Sequence, residues 1–192
     1  MAKVVKRSLA PLLNPKSIAI VGISPRARTG LGILENTRAV GFKGAIYPVN
    51  PNYPEVAGLK CYPSLQDLPE VPDCLIMAVP AEAVISVLEE AGPLGVKAAL
   101  VVAEGFADAT TADGQARQAK LRAIADKYGI AVSGPNCMGI SSLREGFANT
   151  FGDVPKGTAA GGISCISQSG GLLNAVTELG NNRNIGLNYL IS

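Results

Sequence analysis

Up to Ser133 the chain is punctuated by five short apolar runs, at residues 17–23, 45–49, 74–79, 97–103 and 129–133. They are rich in Val, Ile, Leu and Ala, and mostly do not alternate apolar with polar positions. A strand that is apolar throughout must be covered on both faces, which few architectures provide. The segments between the runs can provide it. Residues 31–40, 81–91 and 111–128 have helical spacing, and residues 64–68 make one short helical turn. Gly41 and Gly92-Pro93 stop the first two helices. Strands alternating with helices in this way predict an α/β chain with a doubly wound, Rossmann-like parallel sheet.

The texture changes at Gly134. A stretch rich in Gly, Asn and Thr, without clear period, runs to Gly162. A strand at 163–167, a glycine turn, a helix at 172–179 and a further parallel strand at 187–191 then begin a second βα unit. The expected division is residues 8–133 as one domain and 134–192 as a linker plus the first βα unit of an incomplete second one. A strand at 187–191 needs following chain to cover it, so the sequence reads as one portion of something larger.

Composition narrows the chemistry. The 192 residues contain no His, which removes Ser-His and Cys-His dyads, His-liganded metals and the commonest neutral-pH acid/base. A net charge of +2 with 17% charged residues offers no field for nucleic acid or a membrane surface. Cys61, Cys74, Cys137 and Cys165 form no close pair, so neither a zinc site nor a disulfide framework is expected. Cys74 and Cys165 lie in apolar runs and read as buried thiols, and a reducing cytoplasm is the expected compartment. Lys3, Lys6 and Arg7 give the start a basic character, but Pro11, Asn14 and Lys16 interrupt any apolar stretch of a cleaved leader.

Three motifs carry possible chemistry. Gly22-Ile-Ser-Pro-Arg-Ala-Arg-Thr-Gly-Leu-Gly32 lies between a strand and a helix, where glycines and free helix N–H groups accept phosphate. Arg26 and Arg28 add guanidinium forks suited to phosphate oxygens. A tight turn with solvated arginines is the plain alternative. A dinucleotide enzyme needs an acid about 20 residues further on, but the count from Gly30 lands on Asn50. Glu104, ending the fourth strand, faces the ligand crevice if the first and fourth strands flank the switch point; otherwise it is a solvated loop residue. Val79-Pro80 ends the third strand in the same way, or simply stops it. Ser167-Gln-Ser-Gly-Gly-Leu172 opens another helix, either as an anion site or as an ordinary Ser N-cap.

Together with Asn14-Pro-Lys-Ser-Ile-Ala-Ile-Val-Gly22, Gly41-Phe-Lys-Gly44, Ile46-Tyr-Pro-Val-Asn-Pro51 and Gly134-Pro-Asn-Cys-Met-Gly139, these stretches resemble the CoA-binding module of nucleoside-diphosphate-forming acyl-CoA synthetases. The order and spacing match nearly end to end. The resemblance implies that coenzyme A binds at Gly22, Ser24, Arg26, Arg28, Thr29, Gly30 and Gly32, beside Val49, Asn50 and Pro51, with its pantetheine arm passing Val79 and Pro80. Glu104 is the implied catalytic carboxylate, and Asn136 and Cys137 the implied active-site lining. The helix opening at Ser169, Gly170 and Gly171 matches one that cradles a phosphohistidine, which this chain lacks.

Many relatives carry Lys where this chain has Asn52, so Arg26 or Arg28 has to supply that cation. The implied reaction joins an acid to CoA at the expense of ATP or GTP, with Mg bound in a nucleotide-grasp region outside this chain. The implied partners are a carboxylic acid, the remainder of the synthetase and further copies in an oligomer. A non-catalytic CoA- or nucleotide-sensing module and, less favoured, an NAD(P)-dependent oxidoreductase are the competing readings.

Overall fold

A computed structural model describes residues 7–152 and 158–192; Lys3, Lys6 and residues 153–157 of the expected linker lie outside them. In chain order the elements are α1 (Ala10–Leu13), β1 (Ser17–Val21), α2 (Arg28–Ala39), β2 (Ala45–Val49), β3 (Glu55–Val56) and β4 (Leu59–Lys60). Then come β5 (Cys74–Met77), α3 (Ala81–Leu94), β6 (Ala98–Val101), α4 (Ala112–Tyr128) and β7 (Ala131–Ser133). The remainder comprises β8 (Ile140–Ser142), β9 (Phe147–Ala148), β10 (Ala160–Ile166), α5 (Gly170–Asn182) and β11 (Leu187–Ile191).

The five expected strands form one parallel sheet in the order β2-β1-β5-β6-β7. Every residue of β1, β5 and β6 is buried, as strands covered on both faces require. Successive side chains of one strand go to opposite faces. Ala19, Val21, Leu75, Met77, Ala99 and Val101 pack against Val84, Leu88, Leu121 and Ile124 of α3 and α4. Their neighbours Ile18, Ile20, Cys74, Ile76, Ala98 and Leu100 pack with Leu12, Ile33 and Leu34 of α1 and α2. Doubly wound layering thus follows from the apolar runs.

The strand order places the switch point between the first and third main strands, β1 and β5. It does not lie between the first and fourth, as expected above, because β5 pairs directly with β1 and pushes β6 one position out. Helix α3 also runs past its expected stop. Gly92 lies under the Tyr128 ring, where a Cβ would come within 2.3 Å of Cδ2. It permits the α3–α4 crossing, and the left-handed Gly95 ends the helix instead.

The aperiodic stretch after Gly134 contains β8 and β9, too short and too Ser-rich to show a period. Ile140 and Phe147 join the α1–α2 side of the core, and Phe147 tilts against Phe42 at 5.4 Å. The Thr37 hydroxyl donates to Ala148 O at 2.6 Å. The change of texture at Gly134 is therefore no break in packing. A second sheet has the order β10-β11-β8-β9, with β11 parallel to β10 but antiparallel to β8. Cys165 is only half-buried, unlike Cys61, Cys74 and Cys137; β10 lies at the edge of this sheet with most of its residues exposed.

Candidate functional site

The carboxyl ends of β1, β2, β5 and β6 open into two cavities, of 470 and 330 Å³, that share Val79. Sheet pairing continues one residue past β1, where Gly22 N donates to Val49 O and Ala78 N to Val21 O, both at 2.9 Å. Gly22 has φ +84°, and a Cβ there would lie 2.5 Å from Val79 Cγ1 and 2.6 Å from Ala78 O. Only glycine fits both the backbone conformation and the close approach of β5.

Asn50 ties this turn to its neighbour. Its side-chain amide donates to Ile23 O at 2.9 Å, and its oxygen accepts from Asn52 N at 3.0 Å. With Val49 and Pro51, Asn50 walls the 330 Å³ cavity, which Asn52, Ser64 and Glu90 also reach. The position where a dinucleotide enzyme keeps a carboxylate for a ribose diol thus holds an amide engaged with backbone.

The glycine-arginine motif splits into a short loop and the start of α2. Ser24 Oγ accepts from Ala27 N at 3.1 Å, closing the loop. Arg28, Thr29 and Gly30 form the first turn of α2, whose N-cap Ala27 offers no side-chain acceptor. That leaves the opening N–H groups and the positive end of the helix for an anion. Thr29 lines the 470 Å³ cavity together with Val79, Pro80 and Glu104. Gly30 is buried, and a Cβ there would meet Ile23 Cα at 3.0 Å, so its smallness serves helix-to-loop packing.

Gly32 departs from the expected cradle. It faces Phe151 and, with Arg28, lines a separate 440 Å³ cavity beside Glu35 and Asn36. Two further residues round the helix, it has turned away from the crevice. Arg26 is exposed on the loop. The two arginines therefore do not converge on one spot.

Glu104 is exposed at the mouth of the larger cavity. Asn136, with φ +54°, donates from its backbone to Ala103 O at 2.9 Å and so reaches the Glu104 turn. Cys137 does not line the site. It is 6% exposed, its thiol lies 3.5 Å from Val101 O, and burial pushes its pKa up. Burial drives Cys74, within the sheet, up to about 12.

Beyond Cys137, Met138 packs where a Cβ on Gly170 would fall, so this segment runs from the Glu104 turn to the start of α5. There Ser169 Oγ accepts from Leu172 N at 3.2 Å, the N-cap geometry, while Ser167 Oγ accepts from Ser169 N at 3.0 Å. A Cβ on Gly171 would have only Ser169 Oγ near it, at 3.9 Å, so that face is open.

The motifs did not single out Asp108, Arg117 and Glu82, which surround the Glu104 turn. Their only sequence trace is an acid shortly after a glycine turn. Among the described residues no group of three or more His, Cys, Asp or Glu could hold a metal ion, and no helix is long and apolar enough to cross a membrane.

Known proteins share this arrangement. The chain is 39% identical to an ADP-forming acetate–CoA ligase of Methanocaldococcus jannaschii over 93% of its own length and 24% of the ligase. It is 35% identical to the alpha subunit of an ADP-forming acetate–CoA ligase I of Pyrococcus furiosus, over 96% of this chain and 40% of the subunit. It superposes on the dinucleotide-forming acetyl-coenzyme A synthetase 1 of Ca. Korarchaeum cryptofilum, solved with phosphate and ADP. That match has a TM-score of 0.88 and 37% identity, over 96% of this chain and 39% of the other. The chain thus spans well under half the length of each of these relatives. The CoA binding domain model matches residues 16–142, from the start of β1 through β8 and so across the whole crevice. A match that runs over about two-thirds of the chain shows that it belongs to the CoA-binding domain family.

Proposed function

We propose that this chain is the CoA-binding portion of an acyl-CoA synthetase that releases a nucleoside diphosphate. The observation that supports the reading is the pair of cavities at the strand ends, one walled by Gly22 and Asn50 and the other by Thr29 and Glu104, that share Val79. The adenosine end of CoA lies against Val49, Asn50 and Pro51. The diphosphate meets Gly22, Ser24 and the open N–H groups of Arg28, Thr29 and Gly30, with Arg26 or Arg28 supplying a cation. The pantetheine arm follows Val79 and Pro80 so that its thiol reaches Glu104, a carboxylate able to accept the thiol hydrogen bond.

The overall reaction joins a carboxylic acid to CoA as ATP or GTP is converted to its diphosphate and phosphate. It needs a phosphorylated histidine, and the 192 residues contain none. Residues 134–192 open the domain that receives that group, with the Gly170 and Gly171 N–H groups at the α5 start contacting its phosphate. The rest of the synthetase, in the same chain or as another subunit, supplies the histidine and the Mg-nucleotide site. A cytoplasmic oligomer is the setting that this reading implies.

The NAD(P) alternative is disfavoured because the Asn50 side chain is already spent on Ile23 and Asn52. Calorimetric titration with CoA, dephospho-CoA and NAD tests the choice: CoA binds and NAD does not. Binding of NAD without CoA would falsify the reading. Acid-dependent release of ADP or GDP with CoA should be absent from the 192-residue chain alone, and robust turnover by it would exclude the phosphohistidine route.

A further inference from the structure

The turn that carries Glu104 is held far more tightly than its exposure suggests. Gly105 N and Phe106 N donate to the two oxygens of the Asp108 carboxylate, at 3.1 and 2.8 Å. The Asn136 amide approaches the same carboxylate at 3.4 Å. On the opposite side Arg117 donates to Gly105 O and reaches the Glu82 carboxylate of α3 at 3.2 Å. Gly105 adopts φ +94°, and the side chain of Phe106 is wholly buried. With Ala103 O accepting from Asn136 N on the preceding side, backbone on both sides of Glu104 is pinned, while among the described residues its own carboxylate makes no hydrogen bond or ion pair.

From this arrangement we infer that Asp108 is a positioning residue, acting through the Gly105 and Phe106 N–H groups to hold Glu104 over the crevice, with Arg117 as the counter-latch. The inference deepens the CoA reading and rests on it for the ligand. A carboxylate that accepts adjacent backbone N–H groups makes charge-assisted bonds, among the stronger contacts an exposed loop can have. They order the turn before ligand arrives, so binding does not have to supply that order. Asn136 extends the clamp to the segment that carries Met138 and hence to the start of α5.

The test is a double-mutant cycle on the whole chain: Asp108→Ala, Glu104→Ala and both, with Asp108→Asn as a milder variant should the alanine destabilise the fold. Amide exchange is followed at Gly105 and Phe106, and CoA affinity by calorimetry. Loss of a charge-assisted bond should speed exchange at these two amides by about tenfold or more, with the central sheet unchanged. Asp108→Ala should weaken CoA by roughly fivefold to tenfold when Glu104 is present, and by less than about twofold when Glu104 is already alanine. Additive losses would show that Asp108 does not act through Glu104, and unchanged exchange would show that it does not hold the turn. Failure of the unmutated chain to bind CoA would overturn the ligand assignment instead, with the exchange result still deciding whether the clamp exists.

Discussion

The chain contains two strand–turn–helix junctions with similar punctuation, Gly22 to Arg28 and Ser167 to Gly170, and the fold treats them differently. The first lies at the centre of a fully covered parallel sheet, and α2 starts with no side-chain cap. The second follows β10, an edge strand with most of its residues exposed, and Ser169 caps α5. A helix start without a cap keeps its N–H groups for a ligand at some cost in local stability; a capped start has spent part of that capacity on itself. The contrast separates a junction whose opening N–H groups have no side-chain cap from one that has spent part of them on its own cap.

The largest expected effect attacks the central junction. Gly22→Val meets both a positive φ and the wall of β5, and should cost about 3 kcal/mol or more of stability along with measurable CoA binding. Gly171→Ala at the other junction faces open space and should shift stability by less than about 0.5 kcal/mol. Thermal melts and calorimetry of the two variants check the pair, and equal losses would erase the contrast.

Next in size are the arginines. A charge-assisted bond is worth about 1.5–3 kcal/mol, so an arginine that contacts the CoA phosphates should, when replaced by alanine, weaken binding roughly 10- to 150-fold. Arg28→Ala and Arg26→Ala, each measured with CoA and dephospho-CoA, reveal which one serves the 3′-phosphate, since that variant loses less with dephospho-CoA. If both change affinity by under about twofold, the N–H groups of α2 hold the phosphates by themselves.

Ser169→Ala removes a real cap and should cost about 1 kcal/mol by chemical denaturation. CoA affinity should stay unchanged, because the second junction lies beyond the crevice. The smallest effect concerns acid. Hydrogen bonds, first that from Gly105 N, hold the Asp108 pKa below the usual carboxylate value. A lowered folded-state pKa stabilises above the unfolded value and is lost as pH falls through the folded one. The Glu104 turn should therefore stay closed at neutral pH and loosen only below about pH 4. Its amide exchange against pH, compared with Asp108→Asn, reads this directly.

Much of the scaffold was legible in the residues. The apolar runs of β1, β5 and β6 announce two covered faces, and the spacing of Leu31, Leu34, Ala39 and Val40 announces α2, although the helix buries Ile33, Leu34 and Thr37 instead of Leu31, Ala39 and Val40. At the site, the Gly22 turn, Thr29, Val79, Pro80 and Glu104 emerged from motif and resemblance, and the fold sets them around two cavities that share Val79. Gly32 and Cys137 were misplaced because linear proximity to a motif says nothing about the direction of a side chain. Asp108 and Arg117 were invisible because the groups of the Glu104 turn that they hold are backbone atoms, which every sequence contains.

By itself the sequence determined the layering: strands apolar at almost every position exclude a one-sided sheet, and three of the four segments between them have the spacing of crossover helices. Tertiary structure alone decided that β5 inserts beside β1, moving the switch point, and that the β8–β9 pair joins α1 and α2 in covering one face. It also decided that Gly92 and Gly30 serve packing. Periodicity is a property of near neighbours along the chain. Strand order and close approach depend on pairings between distant segments, settled only when the whole core packs at once.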